Sequence, residues 1–222
     1  MPAEAAQALL AADPGLFRTA LAFNRRPVSY IDPARLAADD PSLPTEAWRR
    51  LLATPRLSAR LSQRILIRYG LVGRELWDFE PRRRRLALLD VTVLRRIAVR
   101  AGALLHAAAI RRIVLRDRVL AVRGLLGEDG HAFALRRAPF LSLPARLPEV
   151  HDPAAVIERD GLSCLAAWLA REPEALAQRV RLRFPPGTAL DAPTPGLEGD
   201  AGHRTLMLTL REGEATWRDC CD

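Results

Sequence analysis

Residues 90–124 read DVTVLRRIAVRAGALLHAAAIRRIVLRDRVLAVRG, and the spacing of their apolar side chains sets the architecture expected of the whole chain. Leu94, Ile97, Ala101, Leu104, Leu105, Ala108, Leu115 and Val119 recur at the 3.6-residue period of a helix. Val99, His106, Ile110 and Ile113 make a second, smaller apolar face opposite the first. A helix apolar on two sides is packed on two sides. One long helix from Val91 to about Arg123, capped by Asp90 and closed by Gly124, is therefore predicted at the centre of the fold. Its core positions are Leu94, Ile97, Leu104, Leu105, His106, Ile110 and Leu115. Arg96, Arg100, Arg111 and Arg118 run between the faces, where their stems lie along apolar neighbours and their heads reach water.

Shorter helices are predicted on either side. Residues 3–12 and 15–22 flank the stop at Asp13-Pro14-Gly15. Turns and one short helix follow from Phe23 to Pro44. A helix over 45–53 presents Trp48, Leu51 and Leu52, and the next ends at Gly70. Downstream, Pro139–Pro153 holds four prolines and reads as a linker. Helices are expected at 153–159, at 161–171 with Asp160 as cap, and from Pro173 to about Arg183. Pro and Gly crowd 185–202, which reads as a loop. Thr205–Leu210 suits either a helical turn or a strand paired with Val180–Phe184. The expected class is all-α, a compact irregular bundle of about 8–10 helices around one long central helix. A single domain over 1–222 is expected, with 1–21 as an N-terminal extension and 186–222 as a loop-rich C-terminal segment.

A chain of 222 residues can bury a core without disulfides or metals. Its formal charge is +8, and all 34 basic residues are arginine. A nucleic acid, an anionic membrane or an acidic protein surface could attract such a chain. The segment at Met1 carries Glu4 where a secretory signal would be basic. The longest strongly apolar uncharged run, Ala101–Ile110, is about half a bilayer span. Cys164, Cys220 and Cys221 show no framework spacing, so reduced cytosol is the expected compartment.

Few residue patterns point to chemistry. His106, His131, His151 and His203 are scattered, and no cysteine pair has metal-ligand spacing. Gly124–Gly130 lacks the Lys-Ser/Thr of a phosphate loop and follows a helix instead of a strand. Asp39-Asp40 and Glu128-Asp129 fall in turns, and no Gly-x-Ser-x-Gly elbow occurs. No catalytic, cofactor or metal residue is assigned, and no enzyme activity is expected. The run Arg82, Arg83, Arg84 and Arg85 is the sharpest electrostatic feature. On a helix these four point around the cylinder and cannot all be buried. They are candidate contacts for an acidic protein partner. A basic helical nucleic-acid-binding protein is the alternative, weakened by the scarcity of aromatics that stack bases.

Three patches carry a resemblance. They are Phe23–Asp32 followed by Leu36; Gly102–Leu115, with Gly-x-x-Leu-His-x-x-Ala-Ile-Arg-Arg at its heart; and Gly161–Trp168 followed by Arg181–Pro185. In order and approximate spacing they resemble the SctK/YscK family of type III secretion proteins, and the chain looks like the Pseudomonas-type member. The resemblance implies a helical cytosolic adaptor without enzymatic activity, in the sorting platform beneath the injectisome. It implies two direct partners, the forkhead-associated-like domain of the inner-membrane ring protein SctD and the pod protein SctQ. SctL and the ATPase SctN are implied as indirect partners. No nucleic acid and no cofactor are implied, and membrane association would come only through SctD.

Overall fold

A computed structural model describes residues 2–137, 152–197, 199–213 and 217. Among these, every regular element is an α-helix or a 3₁₀ turn. No strand pair forms: Val180–Phe184 closes a helix, and Thr205–Leu210 lies within another. The linker expected at Pro139–Pro153 lies mostly outside the described residues, as do His151, Cys220 and Cys221. The chain packs as two compact units, each discontinuous in sequence.

The first unit takes residues up to Val91 together with Glu172–Pro186. It contains α1 (Pro2–Ala12), α2 (Pro14–Arg25), α3 (Pro33–Asp39), α4 (Thr45–Leu52), α5 (Ser58–Arg68), a 3₁₀ segment at Arg82–Leu88, and α10 (Glu174–Arg181). Asp13 starts α2 by accepting the Gly15 and Leu16 amides, the ordinary cap for amides that lack a helical partner. Val28, Ile31, Leu36, Trp48, Ile65, Leu66 and Leu71 form the core, and the distant Leu182 joins them. Asn24 is fully buried and clamps the extended stretch at Leu76, donating to its carbonyl at 2.7 Å and accepting its amide at 3.0 Å. Such two-way pairing satisfies backbone groups that no regular element serves.

The second unit takes Thr92–Arg171 and Gly187–Cys221. It contains α6 (Val91–Leu105), α7 (Ala107–Ile110), α8 (Arg116–Arg137), α9 (Pro153–Leu169) and α11 (Asp200–Arg211). Helix α9 is capped by Asp152 and runs without a break through Asp160, so Asp160 is not the cap expected of it. Helices α6 and α9 cross at Gly102 and Gly161. A Cβ on Gly102 would stand 1.9 Å from the Ile157 carbonyl oxygen, and one on Gly161 equally close to that of Ala98. Only hydrogen at both positions permits the approach.

The helix expected from Val91 to Arg123 is broken. Residues Leu94, Ile97, Leu104, Leu105, His106 and Ile110 are buried, but Leu115 is 59 % exposed and Ala108 is exposed. The backbone leaves the helical track at His106 and again between Arg111 and Leu115 before α8 begins. Two β-branched residues, Ile113 and Val114, sit in that second break, where a helix would restrict their side chains most. Past the break the 3.6 period no longer carries Leu115 to the core. Helix α8 then kinks at Gly127, whose φ of 67° suits glycine alone, so the expected stop at Gly124 lies three residues early.

Candidate functional site

The four arginines expected to face a partner begin from a 3₁₀ segment, Arg82–Leu88, whose Leu86 and Ala87 point inward. A tighter helix with three residues per turn splits the run between faces. Arg83 and Arg84 converge on one carboxylate, each Nε donating to a different oxygen of Glu172 at 2.9 Å. The Glu172 side chain is completely buried. Arg84 also pairs with Asp78, and Arg85 donates to the Phe79 carbonyl. Arg82 is exposed and, among the described residues, has no ion-pair partner. The run is thus half internal. A buried carboxylate deprived of one partner leaves an uncompensated charge. Arg84→Ala should therefore lower stability by about 2 kcal/mol in chemical denaturation, while Arg82→Ala changes it by less than about 0.5 kcal/mol. Equal effects would remove the distinction.

Two more arginines are buried in the first unit. Arg179 is fully buried and donates to the carbonyls of Arg74 and Ala175 at 3.0 and 2.9 Å. Arg183 lies over the rings of Phe23 and Tyr30, 5.3 and 4.9 Å from their centroids, and donates to the Leu89 carbonyl. Burial pulls Arg183 down to about 10, and it pushes Tyr30 up to about 12 against the charges of both arginines. Ring faces stand where a counter-ion would otherwise be needed. A cleft of about 370 Å³ beside Arg183 has Thr19, Ser29, Tyr30 and Asp90 in its lining. Asp90 offsets the arginine charge there.

In the second unit His106 belongs to a polar node inside the core. Its Nε2 lies 2.8 Å from Asp160 Oδ2. Thr194 donates to the other oxygen at 2.8 Å, and Arg159 Nε does so at 3.0 Å. Ser163 bonds the Thr194 hydroxyl at 3.1 Å and accepts the Thr194 amide at 2.9 Å. Burial opposes ionisation of Asp160, but hydrogen bonds from His106, Thr194 and Arg159 hold its carboxyl below the usual range. An ionised carboxylate only accepts, so the Nε2 proton belongs to His106. In acyl-transfer triads the nucleophilic hydroxyl rests on the imidazole. Here both the hydroxyl and the imidazole rest on the carboxylate, so the ring cannot take the hydroxyl proton. The arrangement is a staple joining the end of α6, the middle of α9 and the stretch before α11. That stretch was expected to be a free loop, yet it is tied down by Thr194 and by buried Ala189 and Leu190.

Cys164 is buried, and its thiol is pushed up to about 12 by burial and by the charge on Asp160. A thiol held in that form is a poor nucleophile. Among the described residues no group of His, Cys, Asp or Glu could hold a metal ion, and no helix is long and apolar enough to cross a membrane. Much of the arginine excess is engaged internally: Arg25 with Glu75, Arg68 with Asp39, Arg95 with Glu158, and Arg171 with Asp200. Sequence reasoning missed Asp160, Ser163, Thr194, Glu172, Arg179 and Arg183. An acid inside the apolar run 153–169 was the one available signal, and it was read as a cap.

The family described as YOP proteins translocation protein K (YscK) matches residues 17–216. Nodulation protein NolU of Rhizobium fredii is 32% identical over 188 residues, covering 82% of this chain and 84% of that protein. The same figures hold for nodulation protein NolU of Sinorhizobium fredii. No solved structure gives a significant match.

Proposed function

This chain belongs to the YscK family of type III secretion proteins, and from that premise we propose that it is a non-enzymatic adaptor of the cytosolic sorting platform. In this reading it links the cytoplasmic domain of the ring protein SctD to the pod protein SctQ at the cytosolic face of the inner membrane. SctL and the ATPase SctN are reached indirectly. The observation that carries the non-enzymatic reading is the node at His106 and Asp160. The most catalytic-looking residues of the described chain are locked together as a core staple. What remains for function is surface, and polar surface suits partners that exchange. Arg82 is exposed and, unlike Arg83 and Arg84, is not engaged by Glu172, which makes it a candidate contact.

The test is reconstitution with SctD cytoplasmic domain and SctQ from the same secretion system. The full chain should bring the two into one complex on size exclusion, and they should elute apart without it. Arg82→Glu should weaken one of the two contacts by about tenfold with an unchanged helical spectrum. Equal association of SctD and SctQ without this chain would end the linker reading.

A further inference from the structure

The break between α7 and α8 leaves aliphatic side chains in water. Val114 is 88 % exposed, Leu115 is 59 % exposed and Leu135 is 37 % exposed. Single exposed apolar residues are ordinary, but Leu135 lines a hollow. Ile110, Ile113, Val119, Val122 and Leu135 line a pocket of about 150 Å³ with Arg111 and His131. The Val119 amide donates to the Leu115 carbonyl at 3.0 Å, which sets Leu115 one turn from Val119 at the rim. A hollow of that size takes a group about as large as benzene.

Charge supplies the second observation. The pocket lining contains no acid. Arg111, Arg112 and Arg116 are exposed, and among the described residues none of them has an ion-pair partner. Planar guanidinium forks match carboxylates two bonds at a time. A socket for one apolar side chain, set among unpaired arginines, complements a helix with apolar residues on one face and acids beside them. Nucleic acid fits less well, because among the described residues the patch is mainly aliphatic and its one ring is that of half-buried His131. A bilayer surface fits less well too, since membrane-binding faces are convex helical stripes and this one is concave.

We propose that the pocket between α7 and α8 is the docking site for an acidic amphipathic helix of a partner protein. The inference gives a surface to the linking role and rests on that reading for the partner's biological identity. The surface itself is tested without it. The probe is a fluorescein-labelled synthetic peptide of about 18 residues, with leucine at helical i, i+3, i+4 and i+7 spacing and glutamate beside it. Fluorescence anisotropy with the full chain should show saturable binding. Leu115→Glu with Leu135→Glu should weaken it by about tenfold or more, and so should Arg111→Glu alone. Circular dichroism checks that both variants fold. Serine in place of the peptide's leucines should abolish binding, and raising salt from about 0.05 M to about 0.5 M should weaken it several-fold.

Failure of the wild-type chain to bind, unchanged affinity in both variants, or equal binding of the serine peptide would overturn the proposal. So would a preference for phosphatidylglycerol vesicles lost in the same variants. Binding that appears only after Phe140, Leu141 and Leu143 are changed to serine would overturn it in favour of a segment of the same chain. Absence of peptide binding by the wild-type chain, with SctD and SctQ still joined by it, would defeat the surface and spare the linker role.

Discussion

Gly161→Val should leave the chain almost entirely insoluble or unfolded, and Gly102→Val should do the same. Each side chain would meet a backbone carbonyl oxygen 1.9 Å from its first carbon. Overpacking against side chains costs roughly 1–3 kcal/mol because they can turn aside. A helix backbone cannot turn aside without separating α6 from α9 along its length. That separation would expose buried Leu104, Ile157 and Leu165 and open the staple at Asp160. We expect a loss of about 4 kcal/mol or more, a large part of the ~5–15 kcal/mol that holds a domain together. Gly124→Ala is the matched control, because a Cβ there meets nothing within 4 Å. A melting curve for Gly161→Val near that of the control would show that the helices do not cross this closely.

His106→Asp should be the next most damaging change. It removes the proton donor to Asp160 and brings a second acid toward an acid held ionised in the core. Breaking a buried pair by removing one partner costs about 3–5 kcal/mol, or a fall of about 10 °C in melting temperature. Adding Asp160→Asn to that variant should recover part of the loss, because the like-charge repulsion disappears while the shape stays. No recovery would mean that packing, not charge, sets the penalty. The node also has a pH signature. Its carboxyl is held below its unfolded value of about 3.9, so its contribution is full above that value and fades as pH falls below it. Asp160→Asn should flatten the acid side of the stability profile.

The all-helical class and most helix positions were legible because capping residues and apolar spacing are local signals. Asp152 and Pro173 mark helix starts where the chain makes them, while Asp13, read within a stop, also caps α2. The two failures have one cause. Period alone carried a single helix through His106 and Leu115, and a cap was read at Asp160, because a histidine and an acid 54 residues apart give no sign that they will meet. Their pairing coincides with the break after Leu105 and with an uninterrupted α9. Glu172 is a case of the same kind. Nothing near it in sequence marks it as the buried acid that engages Arg83 and Arg84, so half of a candidate binding run proved to be internal. The exposure of Leu115 was invisible for the reverse reason, since periodicity assigns such a residue to a core by default.

The route of the chain has a consequence for its biogenesis. The first unit needs Glu172–Pro186, which supply Leu182 to its core, bond the Asp32 amide and the Arg35 side chain, and contribute two buried arginines. On the ribosome that strip emerges only after the whole of Thr92–Arg171 has been made. At about 5–20 residues per second, the opening segment waits roughly 5–20 s with the seat of Leu182 unfilled. Nascent chains stalled just past Arg171 should therefore be cut readily by protease within residues 27–71, and those stalled well beyond Pro186 should resist.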